Sequence, residues 1–121
     1  MIQPNELRIG NYLNSRKGYT KVVGVLCDMI ETETHSDILD NFDPIPITPE
    51  ILERLGFVLK DSYWTHKDII YGVVFMGANI EVCFSLHGVI TAIPHLPLNE
   101  LHRFQNIIHS LSGIELTFKT N

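Results

Sequence analysis

His102, Gln105, Asn106 and His109 recur at spacings of three and four residues, which places them on one face of a helix. With Asn99 just before them they form a stripe rich in neutral donors and acceptors, a candidate surface for binding another protein. The competing reading is an ordinary solvated face, since polar residues opposite an apolar stripe are the usual pattern. A zinc site on this stripe fails on distance. His102 and His109 are about 10 Å apart along the axis at 1.5 Å per residue, and one zinc cannot hold both at ~2 Å bonds. His95 precedes the helix and would have to fold back. No HxxxH or Cys/His pair supplies a first pair of ligands, so no metal and no other cofactor is expected.

A second candidate lies near the start. Arg8, Arg16, Lys17 and Lys21 are four of the nine basic residues, with no acid between Arg8 and Lys21. With Tyr12 and Tyr19 beside them, they could grip a phosphate backbone and stack on a base. The net charge of −5 argues against a nucleic-acid binder overall, so this reading stands second to protein binding. Asp28, Glu31, Glu33, Asp37, Asp40 and Asp43 are six of the 14 acids, with no base among them. They lack the spacing and the glycine of a calcium loop. The basic and acidic segments either attract each other within the fold or form two solvated faces.

Catalytic patterns are sparse. His35-Ser36-Asp37 holds triad residue types, but sequence neighbours rarely adopt triad geometry, and no nucleophile-elbow motif occurs. A small hydrolase would have to use His35 or His102 as its base, and an enzyme is not the expected class. No glycine-rich phosphate loop is present. Cys27 and Cys83 sit in apolar, strand-like contexts without a CxxC pattern. They read as buried thiols rather than a disulfide or metal site.

The elements that must position these residues divide at the stretch from Pro44 to Phe57. Asp43 and Thr48 each precede a proline and are pushed into extended conformations. The Pro44–Ile47 arm suits a sheet edge, with Ile45 and Ile47 on the same side. Thr48 reads as an N-cap, Pro49 as N1, and Glu50 as negative charge at the positive end of the helix dipole. Ile47 and Leu52 form a hydrophobic staple, while Gly56 and Phe57 suit a Schellman ending. A helix this short needs tertiary contact through Ile51, Leu52, Leu55 and Phe57.

Before this joint, Leu7 to Leu13 and Tyr19 to Cys27 read as a hairpin around Asn14–Gly18, with Gly24 as a bulge. Met29 to Thr34 extends the meander, and His35 to Asp43 reads as a polar loop. The hairpin suits a small SH3-like barrel, although three or four strands fall short of the usual five. After the joint, strands are expected at Val58–Trp64, Ile69–Met76, Ile80–Phe84 and Val89–Ile93. Ile69–Met76 is apolar enough for a central strand. A long helix from Pro97 to Gly113 carries Leu98, Leu101, Phe104, Ile107, Ile108 and Leu111 as one wide stripe. A final strand is expected at Ile114–Phe118. The expected fold is therefore α+β: an N-terminal β meander over 1–43, a proline arm and short capped helix over 44–57, and an antiparallel sheet covered by the long helix over 58–121. At 121 residues this makes one domain. With no apolar run of signal-peptide or membrane-spanning length, the expected location is cytoplasmic.

Three segments taken together carry a resemblance: Leu7-Arg8-Ile9-Gly10-Asn11-Tyr12, then Pro44-Ile45-Pro46-Ile47-Thr48 through Gly56-Phe57, then His102-Arg103-Phe104-Gln105-Asn106 through Leu111-Ser112-Gly113-Ile114-Glu115-Leu116. In that order the chain resembles a family of short uncharacterised proteins of intestinal bacteria, their prophages and other mobile elements. The pattern reaches nearly end to end, with Phe104 and Ser112 where leucine and threonine are more usual. No activity comes with the resemblance. It implies a genomic setting. The expected function is a non-enzymatic protein-binding or structural module, with self-association open to its two helical faces and edge arm.

Overall fold

The computed structural model describes residues 2–60, 63–76, 79–86, 89–92 and 99–119. The architecture is α+β: a four-stranded antiparallel sheet, a short helix, a second antiparallel sheet and a C-terminal helix. The first sheet is a meander of β1 (Tyr12–Ser15), β2 (Gly18–Leu26), β3 (Met29–Thr32) and β4 (Ser36–Ile38), paired in sequence order. A register shift between Val22 and Gly24 puts a bulge at Val23, as the glycine suggested.

Three details of this half depart from the sequence reading. Residues 7–11 are not a strand. A 3-10 turn over Pro4–Glu6 precedes them, and Gly10 has φ 104, where the Glu115 carboxylate fills the space a Cβ would need. The expected polar loop contains β4, an edge strand held to β3 with Met29 opposite Ile38 and Glu31 opposite Ser36. Cys27 is exposed rather than buried, because it turns the chain from β2 into β3 with φ 49.

The short helix α1 (Pro49–Arg54) follows the local rules at both ends. Thr48 is extended, and its hydroxyl accepts the Ile51 N–H at 3.2 Å. Gly56 has φ 96. Phe57 N donates to Leu52 O at 3.0 Å and Gly56 N to Glu53 O at 3.0 Å, the paired bonds of a Schellman ending. The arm before it is a stitch rather than a free sheet edge. Asn14 and Asp43 exchange backbone bonds at 2.9 and 2.8 Å, Ile47 N donates to Asn99 O, and Leu101 N donates to Ile45 O at 2.7 Å. The prolines remove donors only where no partner is needed.

The second sheet is a meander of β5 (Val58–Lys60), β6 (Tyr63–His66), β7 (Ile69–Met76), β8 (Asn79–Leu86) and β9 (Val89–Ala92). The segment expected as one strand at 58–64 is a hairpin of two, with Leu59 opposite Trp64. β7 occupies the central position. The last helix, α2, spans Leu101–Ser112 and ends at Gly113 with φ 76. It begins after Glu100, which is extended, and Asn99 and Leu101 bond to the arm. Pro97 and Leu98 lie outside the described residues.

Two apolar clusters hold these parts. One gathers Leu13, Val22, Ile30, Leu39, Phe42 and Ile2. The other gathers the arm, α1, Phe57, Trp64, Val73, Leu101, Phe104, Ile107 and Ile108 of α2 and Leu116 around Tyr12, while Leu111 of the expected stripe is exposed. Successive strand residues point to opposite faces, so Tyr12 enters one cluster and Leu13 the other. Each fully buried side chain of this kind contributes ~1.5–3 kcal/mol. The expected strand at 114–118 has no ladder. Its polar groups bond elsewhere: Phe118 N to Tyr12 Oη, Leu116 O to Gln105, and Lys119 N to Arg54 O. No helix among the described residues is long and apolar enough to cross a membrane.

Candidate functional site

The polar stripe of α2 is turned inward, which corrects its reading as a surface for another protein. Gln105 is fully buried. Its Oε1 accepts from Tyr12 N at 2.9 Å, and its Nε2 donates to Gly10 O and Leu116 O, both at 3.0 Å. Asn106 is half-buried. Its Oδ1 accepts from Asn11 Nδ2 at 2.8 Å and Arg8 Nε at 3.1 Å, while Nδ2 donates to Glu6 O at 2.7 Å. His102 is fully buried, and His109 alone of the four is exposed. Through Gln105 and Asn106 the stripe is an internal clip that holds residues 6–12, and the donors and acceptors of these two amides are matched within the chain.

The basic hairpin is also dispersed. Arg8 forms a two-pronged ion pair with Glu115 at 2.7 and 2.8 Å. Tyr12 is buried and cannot stack on a base. Lys21 is half-buried, leaving Arg16 and Lys17 exposed at the tip. The ring of Tyr19 already carries the Arg54 guanidinium, 5.5 Å from its centroid. Of the five positions, Arg16 and Lys17 are left as exposed charges among the described residues, too few for a phosphate track.

One assembly was invisible in the sequence. Glu6, Glu100 and His102 converge, with a ligand atom of each within 4.8 Å of the others. Arg103 sits on the two carboxylates: its Nε donates to Glu100 Oε1 at 2.8 Å, and its Nη2 pairs with Glu6. His102 Nε2 lies 4.0 Å from Glu6 Oε1. Neither ring nitrogen of His102 has a hydrogen-bond partner among the described residues. An unmatched buried polar group costs ~1–3 kcal/mol. Burial holds the imidazole below its ordinary pKa, opposed by the Glu100 carboxylate. Helical spacing relates His102 to His109 but says nothing of Glu6, which the fold brings to the same place.

Hydrolase chemistry gains little. No hydroxyl or thiol among the described residues bonds to His102. His35 stacks on Phe42 at 5.6 Å and bonds Thr34 Oγ1 through Nδ1 at 2.8 Å. A cavity of about 400 Å³ between α1, the β6–β7 turn and residues 114–119 holds His66, Asp68 and Glu115. His66 Nδ1 accepts the Asp68 N–H at 3.1 Å, which ties that nitrogen to the turn.

The outer face of the first sheet carries an exposed apolar row. Leu26, Met29 and Ile38 are cross-strand neighbours on β2, β3 and β4, and all are exposed, at 58%, 38% and 45%. Ile30, beside Met29, is buried and Val25, beside Leu26, packs on the same cluster, so the row faces solvent by register. The next row carries Glu31 between Gly24 and Ser36. Beside Ile38 a groove of about 250 Å³ is bordered by Asp28, Asp40, Ile2 and Pro4. Asp37 is held anionic by Asn41 Nδ2 and the Ile38 N–H, which lower its pKa. The stretch from residue 22 to residue 53 contains eight acids and no lysine or arginine. The apolar row thus lies inside an acidic border. No family model matches the chain, and no curated protein or solved structure matches it either.

Proposed function

We propose that the protein is a non-enzymatic protein-binding module whose docking surface is the Leu26–Met29–Ile38 row and its acidic border. The occupant is a short segment of another protein with apolar residues at its centre and lysine or arginine on its flanks. The observation that carries this reading is the exposure of three cross-strand apolar side chains within a run of chain that lacks any lysine or arginine. Charge complementarity selects the flanks and speeds encounter. Area selects a segment over a globular partner, because stable interfaces bury roughly 800 Å² per partner and three side chains supply much less. Two copies docking row to row would set acid against acid, which argues against self-association through this face. A bacterial mobile-element setting is supported by the resemblance of the 7–12, 44–57 and 102–116 segments alone.

The test is selection from a random peptide library displayed on phage. Binders enriched for an apolar core with basic flanks, and lost with Met29→Asp and Ile38→Ser, are the expected outcome. Enrichment of acidic peptides, or binders indifferent to both substitutions, would overturn the reading.

A further inference from the structure

We propose that Glu6, Glu100 and His102 form a binding site for one divalent first-row transition ion of the zinc type. The ligand atoms lie within 4.8 Å of one another, and a tetrahedral ion with bonds of about 2.0–2.1 Å needs them somewhat closer. Glu6 and Glu100 can close that gap, since each has flexible χ angles and a side chain on the rim, 13% and 36% exposed. His102 need not move. Its side chain is wholly buried, fixed by α2, and directed at the carboxylates with both ring nitrogens unmatched among the described residues.

The cluster already holds a cation. The Arg103 guanidinium pairs with both carboxylates, so the site selects positive charge in its present state. Arg103 is 35% exposed and can swing to solvent, which opens the entry path and frees one oxygen of each carboxylate. The resident guanidinium pairs with the acids but leaves the His102 lone pair without a donor among the described residues. A metal ion would bind both carboxylates and that lone pair. Two carboxylates and one imidazole suit zinc, cobalt or manganese, and the imidazole with so few oxygens disfavours calcium and magnesium. Three protein ligands leave a coordination position for water.

The probe is zinc chloride titrated calorimetrically into chelator-stripped full-length protein, with cobalt absorption reporting the ligand set. One equivalent is expected to bind, with His102→Gln and Glu100→Gln each weakening it at least tenfold and Arg103→Met strengthening it about tenfold by removing the competitor. Glu100 is one-third exposed, so Glu100→Gln keeps the test decisive if His102→Gln fails to fold. A shift of the His102 ring nitrogens in long-range ¹H–¹⁵N spectra identifies the ligand directly. Absence of binding in both the natural protein and Arg103→Met overturns the proposal. Binding that survives Glu100→Gln unchanged also overturns it, since the ion then sits on other histidines.

Discussion

Gln105 Oε1 accepts the backbone N–H of Tyr12 at 2.9 Å, across 93 residues of chain. The same amide donates to Gly10 O and Leu116 O at 3.0 Å. One side chain thus joins the N-terminal hairpin, the last helix and the C-terminal segment. Gln105→Leu leaves a buried N–H and two carbonyls without it, and each orphan costs ~1–3 kcal/mol. Chemical denaturation should show a loss of roughly 3–5 kcal/mol, among the larger effects of single substitutions. A loss below ~1 kcal/mol would mean that solvent reaches these groups.

The ends of α1 give a ranked pair. Thr48→Ala removes the cap on Ile51 N and should cost about 1 kcal/mol. Gly56→Val should cost more. Its φ is 96, strained for any β-branched residue, and an added Cβ would come within 3.2 Å of His66 Nε2. Thermal unfolding of the two variants side by side checks the order.

Cys27 offers the opposite sign. It adopts φ 49 without being glycine, which costs an L-residue ~1–2 kcal/mol. Cys27→Gly relieves that and loses roughly 0.5–1 kcal/mol to added freedom in the unfolded chain. Stability should rise by a few tenths of a kcal/mol to ~1 kcal/mol, read by denaturant midpoint at constant slope.

His102 makes stability depend on pH. Its folded pKa lies below the ordinary value because burial disfavours the imidazolium, with Glu100 opposing. The unfolded chain therefore takes up the proton first as pH falls. This histidine's contribution is fully present above about pH 6.5 and is lost as pH drops through the lower folded value. Comparing the natural protein with His102→Gln between pH 7 and pH 5 should show a shallower loss in the variant, by at most ~1.4 kcal/mol per pH unit for one proton. Equal slopes would place the proton uptake elsewhere.

Much of the fold was legible because the signals were local. Thr48, Pro49, Gly56 and Phe57 specify both ends of α1 within a few residues, and Gly24 marked the bulge at Val23. The misreadings share a different cause. His102, Gln105 and Asn106 looked like a solvated face because their partners, Glu6 to Tyr12, lie at the other end of the chain. Periodicity records that a residue is polar, not whether water or a distant backbone satisfies it. Residues 114–119 alternate like a strand, yet bond to Gln105, Tyr12 and Arg54 instead of a neighbouring ladder. β4 escaped notice because three residues, Ser36–Ile38, are too short for alternation to register.

The docking face is tested most directly by ¹H–¹⁵N chemical-shift mapping with a synthetic peptide that has leucines at its centre and lysines on its flanks. Saturable shifts are expected at Leu26, Met29, Glu31 and Ile38, weakening as salt is raised. Shifts confined to the Arg16–Lys17 tip, or no saturable shifts with this peptide while an acidic counterpart binds, would contradict docking on this face.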